Sequence, residues 1–296
     1  MRIATVSASS QKSYDWCQWK WFIRYCLKFQ EEAGPAALIG SIVHKYLEII
    51  SLFAVDNRNN NTDIWPDPEE LWEQCFNEYF LESPEIADGI DQSKINSIIK
   101  GLMDLIHGNY TPYTTNTIAS EAQFDIPLVS PLFKVDGTKD EYIKVIGKID
   151  RVDELDKDSI EIIDYKTGRR QNFGSNSKEK INSLTLTEDI QPRMYGLAAK
   201  TLYPQYKNIL ITFIYLADGG PVTATLTDED HETTMEFLKD KILEIKKVSD
   251  PKQTISWKCN KLCWYGKTGL CNNLWEEKEK YGVQFLEDKY SVLNGK

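Results

Sequence analysis

The segment Gly147 to Gly168, GKIDRVDELDKDSIEIIDYKTG, constrains this chain more than any other. Two mainly apolar runs flank an acid-rich turn, the pattern of a β-hairpin. Asp150 is expected to end the first strand, with Asp164 and Lys166 two residues apart in the second. Side chains alternate along a strand, so Asp164 and Lys166 project from one face, and the hairpin brings Asp150 beside them. Two carboxylates and an ammonium group at one sheet end suit Mg2+ or Mn2+, cations that prefer hard oxygen ligands. A surface hairpin with a solvated salt bridge would carry the same residue types. Asp153, Asp156 and Asp158 read as ordinary turn acids.

Around this hairpin the hydrophobic period changes once. Before it, helical spacing predicts an aromatic-rich helix from about Lys12 to Phe29, behind a Ser7-Ala-Ser-Ser cap. A second helix is expected from about Ala37 to Phe53, then an Asn-rich loop over Asp56 to Pro68. Helices near Glu69 to Leu81 and Gln92 to His107 follow. Alternation then predicts strands at Ala122 to Leu128, Tyr142 to Ile149 and Ser159 to Tyr165. A Ser/Asn/Lys-rich connection spans Gln171 to Glu188. Asp189 is placed to cap a helix with Pro192 in its first turn, running through Lys200. Strands at Ile209 to Leu216 and Val222 to Leu226 and a helix at Asp228 to Lys247 complete the order. Strands flanked by helices on both sides in sequence imply an α/β class with a mixed central β-sheet. The expected organisation is one domain over 1–296. A helical part (1–115) precedes the core (116–220), and a C-terminal helix and cysteine segment (221–296) returns to the N-terminal helix.

With 296 residues, 41 % of them hydrophobic, the chain can bury one large core or two small ones. It has no run of 18 apolar residues, and the N-terminal MRIATVSASSQK lacks the apolar region of a secretory signal, so neither a membrane span nor such a signal is expected. The cytoplasm follows as the expected compartment, where six cysteines are ligands, catalytic groups or buried thiols rather than disulfides. A net charge of −10 weighs against nucleic acid as partner. The objection is weak for a metal-dependent enzyme, in which an acidic site coexists with a local basic groove. Two stretches could supply one: Lys166 to Arg170, and Lys252 to Lys267 among Trp257, Trp264 and Tyr265. For the second, a solvated surface is as good a reading.

The order Gly40-xxx-His44, Glu121 opening a strand, GKIDR, IIDYKTG and Gln191-xxx-Tyr195 resembles the RecB-like branch of the PD-(D/E)XK nucleases over nearly the whole chain. That branch includes the RecB and AddB nuclease domains and the CRISPR adaptation nucleases. The resemblance implies a restriction-endonuclease-like core and a metal-dependent DNA exonuclease acting on single-stranded ends, in recombination, repair or CRISPR-type DNA processing. It implies that Asp150, Asp164, His44 and the main-chain carbonyl of Tyr165 bind the metal. Lys166 would position the attacking water or stabilise charge at phosphorus. Gln191 and Tyr195, four apart on one helical face, would border the site and contact DNA, and Glu121 would support it from an adjacent strand. Taken alone, His44 reads as a helix histidine satisfied by a backbone group, as do His107 and His231, which lack such company.

Cys259, Cys263 and Cys271 lie within CNKLCWYGKTGLC, and Cys17 opens CQWKWFIRY at the other end. Many RecB-like nucleases bind an iron–sulfur cluster through one N-terminal and three C-terminal cysteines. The resemblance therefore implies a [4Fe–4S] cluster on Cys17, Cys259, Cys263 and Cys271, with zinc as the competing occupant. The gaps here are three and seven residues, wider than that family's usual spacing. Cys26 lies nine residues after Cys17, half a helical turn out of phase, so only one of the two can face a cluster. Cys26 and Cys75 are read as buried small hydrophobes. No GxxxxGK[ST] motif is present, so any unwinding must come from a helicase or recombination partner. The rival reading is a catalytically silent DNA-binding or scaffold protein that keeps the fold. Its support is the acidic charge and the altered cysteine spacing, and the complete His44, Asp150, Asp164, Lys166 set stands against it.

Overall fold

The computed structural model describes residues 3–82, 91–133, 142–170, 180–218 and 220–291. They divide into two compact units. Met1–Glu32, Asp125–Ile146 and Met235–Lys296 make one, and Ala33–Phe124 with Gly147–Thr234 make the larger other.

In the larger unit, apolar residues at helical spacing from Leu38 to Ala54 form the buried face of α3 (Pro35–Asn60). By length and composition α3 could cross a membrane. Its Leu38, Ile42, Val43, Leu47 and Ile50 are instead buried in a core with Ile163 and Tyr165 of β4 (Ser159–Lys166) and Ile214 of β5 (Asn208–Tyr215). The helix runs seven residues past its expected end, into the Asn-rich segment. Asn57 explains this: it is buried, donates to Ile64 O at 2.9 Å and accepts from Ile64 N at 2.9 Å and from Thr62 Oγ1. Asn61 then stops the helix in the left-handed region (φ 52°) that asparagine tolerates. Helices α4 (Pro68–Glu82) and α5 (Gln92–Ile106, capped by Asp91) add Leu71, Cys75, Ile98 and Leu102 to the same core.

Four strands of this unit run in the order β3-β4-β5-β6, with β2 also on β3. The elements are β2 (Thr117–Val129), β3 (Tyr142–Asp156) and β6 (Gly220–Thr225). The β3–β4 and β5–β6 pairs are antiparallel and β4–β5 is parallel, so the sheet is mixed as expected. Three expectations change. Glu121 does not open β2 but sits within it, at a φ of 54°. Asp150 lies inside β3, which continues to Asp156. Asp153 is a buried strand residue, paired with fully buried Arg151 at 2.7 Å, and not a turn acid. Within the expected connection Gln171 to Glu188, residues 171–179 lie outside those described. Its end is helical, α6 (Ser183–Glu188), with Asn182 accepting from Leu184 N and Thr185 N. The helix α7 (Ile190–Leu202) is capped by Asp189.

In the smaller unit, β1 (Thr5–Val6) pairs in parallel with Lys144 and Val145 of β3. The expected helix from Lys12 to Phe29 is broken. A Ser7 capping box opens α1 (Ala8–Trp16), Cys17 breaks it in extended conformation (φ −162°), and α2 (Gln18–Trp21) runs into a π-helical turn at Phe22–Cys26. Trp19, Trp21, Phe22 and Ile23 are buried there with Ile245 of α8 (Asp228–Lys247), Tyr265 and Leu274. Beyond α8 come α9 (Lys258–Lys261), α10 (Trp264–Lys267), α11 (Leu270–Tyr281) and α12 (Val283–Leu286). Trp19 N donates to Lys252 O at 3.0 Å, and Tyr265 Oη to Phe29 O at 2.7 Å.

Candidate active site

The antiparallel pairs of β3 and β4 end at Arg151 opposite Ile163, so one step further sets Asp150 opposite Asp164. Directly opposed residues of an antiparallel pair face the same side with Cβ atoms about 5 Å apart. At that step the Asp150 carboxylate enters the ladder itself: Tyr165 N donates to Asp150 Oδ2 at 2.9 Å. The same oxygen lies 3.4 Å from Nδ1 of His44, which α3 delivers. Burial opposes a charged imidazole, but the hydrogen bond and charge of Asp150, with Asp164 behind it, hold the His44 pKa above its ordinary value.

Asp164 is almost completely buried. Its Oδ2 pairs with the Lys166 ammonium at 2.6 Å. Its Oδ1 accepts from Tyr195 Oη at 2.8 Å and from Gln191 Nε2 at 2.9 Å. Gln191 also donates to Tyr195 Oη at 2.8 Å and accepts from Lys166 Nζ at 3.1 Å through its carbonyl oxygen. One amide thus ties both charged residues of the DYK run to α7. Desolvation pushes the Asp164 pKa up; Lys166 counters this and neighbouring Asp150 adds to it. A desolvated carboxylate beside a second one is an arrangement that a cation relieves, and the donors available are carboxylate and carbonyl oxygens. The residues therefore fit a hard divalent ion. Among the described residues no three His, Cys, Asp or Glu side chains already converge on one point.

A cleft of about 400 Å³ opens over this corner, lined by Gly40, Ser41, His44, Glu121, Lys148 and Asp150 among others. Glu121 pairs with Lys148 across it.

Residues that drew no attention in the sequence hold the corner in place. Gly147 leaves room for the ring of Phe124, which a Cβ at that position would meet at 2.3 Å. Phe124 in turn packs edge-on to Tyr195. The GKID glycine could have signalled such a close approach. Arg151, one residue after Asp150, donates to Tyr165 Oη and to Tyr110 O, both at 2.8 Å. His107 caps α5, whereas His231 is buried against Gly196 with no hydrogen bond at Nδ1.

The smaller unit holds a second grouping. Cys17, Cys259, Cys263 and Cys271 all line one cavity of about 200 Å³. Cys17 Sγ accepts from Lys20 N at 3.5 Å and Thr254 N at 3.4 Å, Cys259 Sγ from Ser256 N at 3.4 Å, and Cys271 Sγ from Gln253 Nε2 at 3.3 Å. Burial, with the neighbouring thiols, raises the pKa of Cys271 to about 11. Cys26 faces a different cavity and Cys75 lies in the core of the larger unit.

Known proteins bear on this geometry. An ATP-dependent helicase/deoxyribonuclease subunit of Carboxydothermus hydrogenoformans is 29 % identical over 181 residues, covering 55 % of this chain and 16 % of its own length. The subunit of the same description from Streptococcus uberis is 26 % identical over 211 residues, covering 65 % and 17 %. The chain thus spans about one-sixth of the length of these relatives. A crystal structure from Eubacterium rectale, described provisionally as an exonuclease, shares the fold with a TM-score of 0.50 at 13 % identity, over 88 % of this chain and 87 % of that one. The family model for the PD-(D/E)XK nuclease superfamily matches residues 5–267. With that match over most of its length, the chain belongs to the PD-(D/E)XK nuclease superfamily.

Proposed function

We propose that this nuclease is a metal-dependent exonuclease that hydrolyses DNA phosphodiesters from single-stranded ends. The observation that carries the reading is the buried Asp164, held opposite Asp150 and joined to Lys166, Gln191 and Tyr195 within hydrogen-bond reach. Asp150, Asp164 and the carbonyl of Tyr165 are the residues to hold Mg2+ or Mn2+, with His44 favouring Mn2+ because imidazole is the softer base. When bound, such an ion supplies a nucleophilic water at neutral pH and neutralises charge on the phosphoryl oxygens. Lys166 brings a positive charge to the side on which negative charge develops, and Gln191 holds its ammonium in place. Tyr195 fixes the orientation of the Asp164 carboxylate, whose other oxygen faces Lys166.

The relatives' description as helicase/deoxyribonuclease subunits supports DNA as substrate and a helicase as partner; recombination, repair or CRISPR-type processing is the setting we propose for that pair. The cytoplasm is the compartment where such a partner works. For the four cysteines the reading is a structural [4Fe–4S] cluster, supported by the cavity that all four line. Zinc, which draws four sulfurs to about 2.3 Å of a single centre, is the other occupant for such a donor set.

Digestion of end-labelled single-stranded DNA with Mg2+ or Mn2+ tests the reading, comparing the chain with Asp164→Ala. Metal-dependent shortening from the end that disappears in the variant supports it. Binding without cleavage by protein purified without air would make the chain a scaffold. Iron and acid-labile sulfide analysis separates a cluster from zinc.

A further inference from the structure

From Pro251 to Trp275 the chain contains four lysines, Lys252, Lys258, Lys261 and Lys267, and no Asp or Glu. In a protein of net charge −10, an acid-free run of this length is a local reversal of sign. It lines the cysteine cavity of the smaller unit, and while Tyr265 and Leu274 are buried, the stretch around Ile255 and Trp257 is exposed. Trp257 is 64 % exposed and Ile255 85 % exposed. Single exposed apolar residues are ordinary, but an indole and an isoleucine two positions apart beside lysines of which only Lys252 pairs with an acid, Asp250, are not. Lys261 and Lys267 make no ion pair among the described residues. Lys258 leans over the Trp16 ring at 5.7 Å rather than toward an acid.

We propose that this run is a binding platform for single-stranded DNA, with Trp257 as the face on which a base stacks and Lys258, Lys261 and Lys267 as phosphate contacts. The inference rests on the reading of the chain as a DNA nuclease and adds to it a binding surface apart from the catalytic residues. Charge complementarity selects a polyanion as the occupant. An exposed aromatic face selects unpaired bases, since a duplex keeps its bases stacked on each other. The segment is also held in shape. Thr254 N and Ser256 N, on either side of Ile255, donate to Cys17 and Cys259, so the backbone that presents Trp257 is fixed by the thiols.

The test uses the full chain, without divalent metal so that nothing is cut. It reads binding of a fluorescein-labelled oligothymidylate by anisotropy over a series of salt concentrations. Trp257→Ala is expected to weaken binding about tenfold, and Trp257→Phe to restore most of it. Lys258→Ala with Lys261→Ala is expected to lower the slope of log K against log salt by about 1.4, at about 0.7 per phosphate contact. Photo-cross-linking to an iodouracil-substituted strand should label the tryptic peptide Gln253 to Lys258. Unchanged thermal melting of the variants excludes loss of fold as the cause. Wild-type affinity in Trp257→Ala, or cross-links only elsewhere, would overturn the platform. So would preference for the matching RNA, or for phosphatidylserine vesicles, over the DNA strand. Hydrolysis of a thymidine p-nitrophenyl phosphodiester with Mn2+, too small to need the platform, reads the nuclease separately. Asp164-dependent hydrolysis with a failed platform leaves the nuclease standing, and the reverse result leaves the platform.

Discussion

Asp150 accepts a hydrogen bond from the backbone N–H of Tyr165 at 2.9 Å, so a candidate metal ligand also satisfies the strand that carries its partner Asp164. Function and fold are therefore separable at this position. Asp150→Asn keeps an oxygen acceptor for that N–H and should fold with nearly wild-type stability. Asp150→Ala leaves the buried N–H unsatisfied, a cost of about 1–3 kcal/mol. Both should reduce hydrolysis about 10³-fold, the scale for removal of one stabilising group. Urea denaturation beside single-turnover rates checks the split.

Tyr195→Phe removes the hydroxyl that bridges Gln191 and Asp164 and adds no volume. Metal affinity or kcat/KM should fall about 10–100-fold, because the carboxylate loses an orienting donor. Titration of activity with Mn2+ distinguishes the two.

Gly147→Ala sets a Cβ into the Phe124 ring, which contacts Tyr195. Stability should drop by about 1–3 kcal/mol and activity with it. Phe124→Leu in the same chain should recover part of both, and a thermal melt with an assay shows whether it does.

Asp153→Ala leaves Arg151 buried without its counter-charge, which should destabilise by about 3–5 kcal/mol. Replacing the pair together, Arg151→Met with Asp153→Leu, should recover much of that loss. Chemical denaturation of the three variants decides it.

Burial first, and Lys200 second, depress the pKa of His231. In the unfolded chain this imidazole takes up a proton near pH 6.5, whereas the native state does so only at lower pH. The contribution is thus complete above pH 6.5 and is lost as pH falls through it. The melting temperature of the wild type should decline more steeply between about pH 6.5 and 5 than that of His231→Leu.

Much of the geometry of the candidate site was legible in the sequence because it rests on short-range rules. Asp164 and Lys166 share a face through strand alternation, and Gln191 and Tyr195 through a helical turn. The tight hairpin after Asp156 sets Asp150 opposite Asp164. What the sequence did not disclose depends on partners far along the chain. Asp153 looked like a turn acid because its buried partners are Thr117 on another strand and Arg151, itself held by Tyr165 Oη and the carbonyl of Tyr110. The role of Gly147 depends on Phe124, a neighbour across strands. The break at Cys17 has no helix-breaking residue to announce it, and there Trp19 N bonds to Lys252 O, more than two hundred residues later.

The smaller unit is assembled from three separated stretches, and this fixes an order of events during synthesis. Trp19 and Phe22 are made before the larger unit, whereas Ile245, Tyr265 and Leu274, with which they are buried, are made after it. The larger unit begins at Ala33 and closes at Thr234, so all of it can leave the ribosome first. Until translation passes Leu274, Trp19, Trp21 and Phe22 wait without the apolar partners that bury them, exposed to chaperones. Slow translation would therefore be expected to accumulate chains whose larger unit is folded while the smaller one is still incomplete.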